Sequence, residues 1–213
     1  SADPPPEPAR HRTTPAASRC NCPGSHTMNR LICLLIATLM MSGCGTMNPR
    51  DFSDSSQALD LFDYFEGETV AWGLFEDRFG KVRRQFRVEI KGTVDGDTLV
   101  LDEAFVYADG ERQQRTWTIR KTGNTTYSGQ AADVVGEARG VTGGNALHWT
   151  YTMNLKVGER HLKVAFDDWM FLQPDGVLLN RASVSKFGLE IGSVTLAFRK
   201  PGQMPLPGAA ASQ

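Results

Sequence analysis

Between Leu147 and Val157 the chain alternates without a break. Leu147, Trp149, Tyr151, Met153, Leu155 and Val157 are apolar, and His148, Thr150, Thr152, Asn154 and Lys156 between them are polar. A period of two puts the apolar side chains on one face of an extended strand, whereas a helix would scatter them around its axis. The alternation returns in Leu162, Val164 and Phe166, in Gly192, Val194, Leu196 and Phe198, and, with one exception, in Val82, Arg84, Phe86, Val88 and Ile90.

Turn signals cut these runs at short intervals. Phe79-Gly80-Lys81, Asp95-Gly96-Asp97, Asp109-Gly110, Gly123-Asn124, Gly143-Gly144-Asn145, Gly158-Glu159 and Pro174-Asp175-Gly176 all read as hairpin connections. Ten strands are predicted: 68–78, 81–92, 97–107, 111–121, 125–130, 133–141, 145–157, 160–172, 177–187 and 190–199. No long helical pattern lies between them, which excludes parallel βαβ units. Consecutive hairpins with one apolar face predict an all-β fold, an up-and-down antiparallel β-barrel over residues 58–200. Residues 58–65, ALDLFDYF, predict a short N-terminal helix ahead of Gly67. A two-sheet sandwich is one rival. A transmembrane barrel is the other, and it would turn the apolar phase outward.

The ends of the chain differ from this body. Residues 1–27 are rich in Pro, Ala, Ser and Arg and nearly free of large apolar side chains, so they are expected to be a disordered upstream extension. Met28-Asn29-Arg30 followed by the apolar run Leu31 to Met41 has the form of a signal peptide over 28–43, because the run is too short to span a bilayer. It ends in Met41-Ser42-Gly43-Cys44, which resembles a lipobox and makes Cys44 the expected lipidation site. Gly45, rather than Asp, after that Cys favours an outer-membrane anchor facing the periplasm. Residues 44–57 are then an acylated polar tether, and 201–213 a disordered tail.

On that reading the cysteines at 20, 22 and 33 leave with the leader, and no disulfide or metal site remains. The whole-chain charge is −1. Removing Arg10, Arg12, Arg19 and Arg30 with Asp3 and Glu7 turns 23 and 24 into 19 and 22, a charge of −3. Neither value suits a nucleic-acid binder, which is usually basic.

Several unusual blocks carry a family likeness. They are Phe65-Glu66-Gly67 with Ala71-Trp72-Gly73-Leu74-Phe75-Glu76-Asp77-Arg78, then Gly129 to Gly140, then Phe166-Asp167-Asp168-Trp169-Met170 and Leu179 to Gly188. With the lipobox they resemble the domain of unknown function 3833 family of bacterial lipoproteins, from about Leu59 to Lys200. That resemblance brings no established activity. A short helix, a Gly and a first-strand Trp are similar to the start of lipocalin and calycin barrels. The likeness implies that Trp72 packs with Arg199 or Arg181 to close one barrel end.

Polar residues on apolar phases are the candidate site, because a buried charge is costly unless it is paired. Asp168 is in phase with Leu162, Val164, Phe166 and Met170, and Glu103 with Leu99, Leu101 and Phe105. Arg181 and Ser183 share a phase with Val177 and Leu179, and Glu137 and Arg139 sit two apart on one strand. With Trp117, Trp149 and Tyr151 they are expected to line the lumen. They could orient a ligand head group, or they could be internal salt bridges that fix the barrel's register.

Catalytic signals are weak. Glu76-Asp77 and Asp167-Asp168 are neighbours on strands and point to opposite faces, unlike a glycosidase pair. His148 and His161 fall on the polar phase and flank one hairpin, which could bring them close outside the barrel. No catalytic residue, metal or cofactor is expected. The expected role is a monomeric, lipid-anchored carrier of a lipid or other small apolar ligand. The alternative is a non-catalytic platform for an envelope partner.

Overall fold

A computed structural model of the chain describes residues 46–157 and 160–202. Cys44, the leader before it and residues 203–213 lie outside the described residues. The strands are β1 (Gly67–Asp77), β2 (Val82–Asp95), β3 (Thr98–Tyr107), β4 (Arg112–Lys121), β5 (Thr126–Gln130), β6 (Ala138–Gly143), β7 (Ala146–Val157), β8 (Arg160–Leu172), β9 (Leu178–Lys186) and β10 (Leu189–Arg199). Each pairs antiparallel with the next, and β10 pairs with β1, so the sheet is a closed barrel. Closure leaves no full-length sheet edge exposed.

The apolar phase points inward. On β2, Val88 and Ile90 are buried while Arg83, Gln85, Arg87, Glu89 and Lys91 are exposed. A charged outer face is the reverse of what a barrel in lipid requires.

One end is stoppered by α1 (Leu61–Phe65). Asp60 caps it, accepting from the Phe62 and Asp63 amides at 2.8 and 3.2 Å. A five-residue helix has almost no stability alone. Here Leu61, Phe62, Tyr64 and Phe65 are all buried, and each buried side chain contributes roughly 1.5–3 kcal/mol. The Tyr64 hydroxyl lies 3.1 and 3.2 Å from the carbonyls of Gly176 and Phe198, tying the helix to the β8–β9 turn and the end of β10. Gly92 makes the fit possible: a Cβ there would lie 1.8 Å from the Phe65 carbonyl oxygen.

Residues 48–57, expected as a polar tether, are docked on the barrel instead. Pro49–Phe52 form a 3₁₀ turn capped by Asn48, with Pro49 buried. The Phe52 ring meets Phe171 edge-on at 5.2 Å, and Leu59 N–H donates to the Gly144 carbonyl. Buried Pro49 and half-buried Phe52 are the apolar contacts that join this otherwise polar stretch to the barrel.

β6 starts at Ala138, not 133. Residues 131–137 instead turn through Val134 N–H to Ala131 O and then run along β7, with Val135 N–H donating to Thr152 O and Asn154 N–H to Asp133 O. β5 is only five residues long, so this segment covers the wall between β4 and the outer half of β7.

Candidate functional site

The barrel encloses a cavity of about 620 Å³. Its lining runs from Leu61 and Phe65 of α1 to Arg83, Arg84 and Glu111 at the opposite rim, and the exposed rim residues show that it opens there. Most of the wall is apolar. The inner positions near α1 are Ile90, Leu101, Ile119 and Leu147, and those near the mouth are Phe86 and Phe105.

A polar belt crosses the middle. Asp168, on β8, is 5% exposed. Its carboxylate accepts from the Asn180 amide across the β8–β9 pair and from the Tyr151 hydroxyl at 3.3 Å. Burial pushes the Asp168 pKa up to about 6, against those two hydrogen bonds, and neighbouring Asp167 adds to the rise. Tyr151 is raised well above its usual value, first by burial and then by Asp168.

Glu103 faces Arg115 directly across the β3–β4 pair, at 3.8 Å. Arg115 spends its better hydrogen bonds elsewhere, giving Asp133 a bidentate pair with contacts of 2.9 to 3.2 Å. Burial therefore dominates at Glu103, whose pKa is pushed up to about 7 despite the guanidinium. The Arg115–Asp133 pair has a second effect. It fastens residues 131–137 to the part of β4 that extends beyond its pairing with β5.

The aromatic residues frame this belt. Trp117 meets Trp149 at 6.2 Å and Tyr151 at 5.4 Å, both edge-on, and Tyr151 stacks on Phe166 at 4.8 Å. The Trp149 ring lies flat against Gly140, where a Cβ would approach it to 2.0 Å. At the rim, Arg84 caps the Tyr107 ring at 3.6 Å and pairs with Glu111 at 2.6 Å and Asp109 at 3.3 Å.

Five of the sequence-predicted lumen residues line the cavity: Glu103, Trp117, Trp149, Tyr151 and Asp168. Four do not. Arg181 is exposed and Ser183 lies on the same outer phase, because Leu178, Asn180, Ala182 and Val184 take the inner positions of β9. Residues 177–179 are Val-Leu-Leu, apolar in both phases, and a slip of one residue exchanges the faces of a strand. Glu137 and Arg139 are also exposed, since Ala138 and Gly140 face inward, and they border a shallow outer groove with Asp167.

Trp72 and Arg199 do not close the barrel end from inside. Trp72 is 51% exposed because Ala71 holds the inner position, Arg199 is on the outer phase of β10, and α1 supplies the stopper. His148 and His161 are not neighbours. His148 is opposite Trp169 and stacks on it at 4.3 Å, whereas His161 is opposite Lys156 at the other end of the hairpin.

Sequence reasoning missed Arg115, Asn180 and Asp133. Arg115 was recoverable, being two residues before Trp117 on the same face of β4. Asn180 was lost with the phase of β9. Asp133 belongs to a segment whose position depends on contacts far along the chain, and no local signal marks it.

No curated protein matches the chain. Among solved structures it is similar to an S-type phycobiliprotein lyase, CPES, from Guillardia theta. The identity is 7%, the match covers 64% of this chain and 88% of that one, and the TM-score is 0.44. So distant a likeness adds nothing to the barrel geometry already described. Residues 38–200 match the family described as protein of unknown function (DUF3833), a span that includes the whole barrel, and the chain belongs to that family.

Proposed function

We propose that the barrel binds one apolar molecule in its lumen and carries it, without chemistry, as an envelope protein anchored through lipid on Cys44. The observation that supports this most is the cavity. About 620 Å³ lies within the 300–1,000 Å³ common for small-molecule sites, and its apolar walls and few convergent polar groups are the usual make-up of one. The stopper at α1 and the open far rim give a pocket with one way in.

The carboxylates support binding over catalysis. Asp168 is held by two neutral donors and Glu103 by Arg115, so each is engaged in the wall. The anchor and the outer-membrane address rest on the lipobox and Gly45. Lipid affinity there would come from the acyl chains, roughly 0.8 kcal/mol per buried methylene.

The test is to extract the protein from its native envelope and identify co-purifying small molecules by mass spectrometry, alongside titration with the apolar reporter 1-N-phenylnaphthylamine. Absence of both a co-purified lipid and reporter binding would sink the carrier reading. Substituting Cys44→Ala should release the protein from the membrane fraction, and retention there would refute the anchor.

A platform role has one observation in its favour. Phe79, Phe187 and Leu189, in the adjacent β1–β2 and β9–β10 hairpins at the mouth, are 79%, 94% and 68% exposed. Crosslinking from these turns that returned no envelope protein would count against it.

A further inference from the structure

Asp168 stands out within the lumen. It is a buried carboxyl on the wall of an apolar cavity, and among the described residues its side-chain hydrogen-bond donors are neutral: the Asn180 amide and the Tyr151 hydroxyl. A carboxylate offers about four acceptor positions, so two donors leave capacity unused. Among the described residues no cation lies within ion-pair distance of it. The mid-lumen guanidinium, Arg115, is held by Asp133 and Glu103. At the rim, Arg83 pairs with Asp77, and Arg84 with Asp109 and Glu111, while Lys156 borders the cavity at the far end of β7, seven residues along the strand from Trp149, the residue opposite Asp168.

The middle of the lumen therefore holds two carboxyl groups, Asp168 and Glu103, beside one guanidinium, Arg115, which Asp133 of the wall segment also engages. A ligand head placed there meets surplus acceptors and few free donors. Burial raises the cost of that imbalance and the benefit of relieving it, since charge-assisted hydrogen bonds are the strong ones in such a setting.

We propose that the lumen takes long-chain amphiphiles whose head is a protonated amine or another hydrogen-bond donor, seats that head on Asp168, and discriminates against free fatty acids. The inference rests on the lumen-binding reading and narrows its ligand class. An ammonium head would supply the missing positive charge and donate into the free lone pairs of Asp168, with the alkyl chain along the apolar wall. A carboxylate head in the same place would add a third acid to the belt, whose one guanidinium is already held by Asp133 and Glu103.

The experiment uses the purified full-length chain with bound 1-N-phenylnaphthylamine, displaced by dodecylamine, dodecanol or dodecanoate, each below its micelle concentration, at pH 7.5. Dodecylamine should displace the reporter at a concentration about tenfold lower than dodecanoate, the scale of one charge-assisted hydrogen bond. In Asp168→Asn, with displacement referred to the variant's own measured reporter affinity, the two should come within about threefold. A second measurement does not depend on the variant. At pH 5 the wild-type preference for dodecylamine over dodecanol, which does not titrate, should narrow as the belt carboxyls Asp168 and Glu103, at about 6 and 7, become protonated. The groups facing it are Tyr151 from β7 and Asn180 from β9, with Asp167 beside it on the opposite face of its own strand; Glu103 and Arg115, from β3 and β4, reach the same Tyr151 from across the belt.

If dodecanoate displaces the reporter as well as dodecylamine does at pH 7.5, the ligand class is wrong while the carrier reading stands. A preference that survives both Asp168→Asn and pH 5 removes Asp168 from the site. No reporter binding at any pH overturns the inference and the carrier reading together.

Discussion

The two ends of this barrel are made by the same strands and differ throughout. At the α1 end the inner positions are Ala71, Val88, Leu99, Leu147 and Leu178, each at most 1% exposed. At the mouth the inner positions are Phe75, Phe86, Phe105 and Tyr107, and all are only half-buried. Small aliphatic residues collapse onto a five-residue helix at one end. Larger aromatic ones, spaced round a wide barrel, leave a hole at the other. Ring size alone does not fill a lumen: a ten-strand circumference needs material brought in from outside the sheet, and only the α1 end receives it.

The two ends should differ most in what they contribute to stability. Phe65, 3% exposed and packed edge-on against Tyr64 and Phe198, should cost about 3–5 kcal/mol when replaced by Ala. Phe105→Ala at the mouth should cost less than about 1.5 kcal/mol. Denaturant unfolding curves for the two variants test this, and equal losses would mean that the mouth is packed after all.

The polar belt between the ends makes stability depend on pH. A carboxyl with a pKa of about 7 when folded and near 4.5 when unfolded stabilises the fold fully below pH 4.5, and that contribution is lost as the pH rises to about 7. Glu103→Gln has no such proton. Its unfolding free energy relative to the wild type should therefore rise by about 3 kcal/mol between pH 4 and pH 8. A flat difference across that range would show that Glu103 is better solvated or better paired than its position suggests.

Where β5 runs out, the wall depends on Arg115 and Asp133, which are 21% and 31% exposed. Replacing Asp133 with Asn should destabilise by about 1–2 kcal/mol, below the buried-pair range because solvent reaches both groups. Hydrogen exchange should quicken at the Val135 and Asn154 amides, which bond this segment to β7, and not at amides near α1.

The smallest expected effect is a gain. Phe187 has φ 53° and is followed by Gly188 with φ 77°, a two-residue turn whose first position suits Asn or Gly. Phe187→Asn should raise stability by up to about 1 kcal/mol, read as a shift in the denaturation midpoint. No gain would mean that the exposed ring rests on something that offsets its backbone.

Strand boundaries were legible because alternation and turn chemistry act over a few residues. Nine of the ten strands begin and end within three residues of their predicted positions. The exception, β6, failed where residues 131–137 spend their hydrogen bonds on β7 instead of extending the strand. The site was legible only in part. Asp168, Glu103, Trp117, Trp149 and Tyr151 could be placed because each interrupts or continues an unambiguous phase. Arg181 and Ser183 went to the wrong face because Val177, Leu178 and Leu179 are apolar in both phases. Glu137 and Arg139 were lost with the start of β6.

Alternating side chains and turn residues, without any tertiary information, determine that this chain makes ten short antiparallel strands with one apolar face. They also determine that two carboxyls lie on that face, because a period of two is a local property of the backbone. Everything that makes the lumen a site is decided at longer range. β10 meets β1, α1 fills one end, Asn180 and not Arg181 meets Asp168, and Arg115 is taken by Asp133. These are pairings between residues from 12 to well over 100 positions apart. They are settled by closing the sheet and by burying charge next to whatever partner that closure brings near.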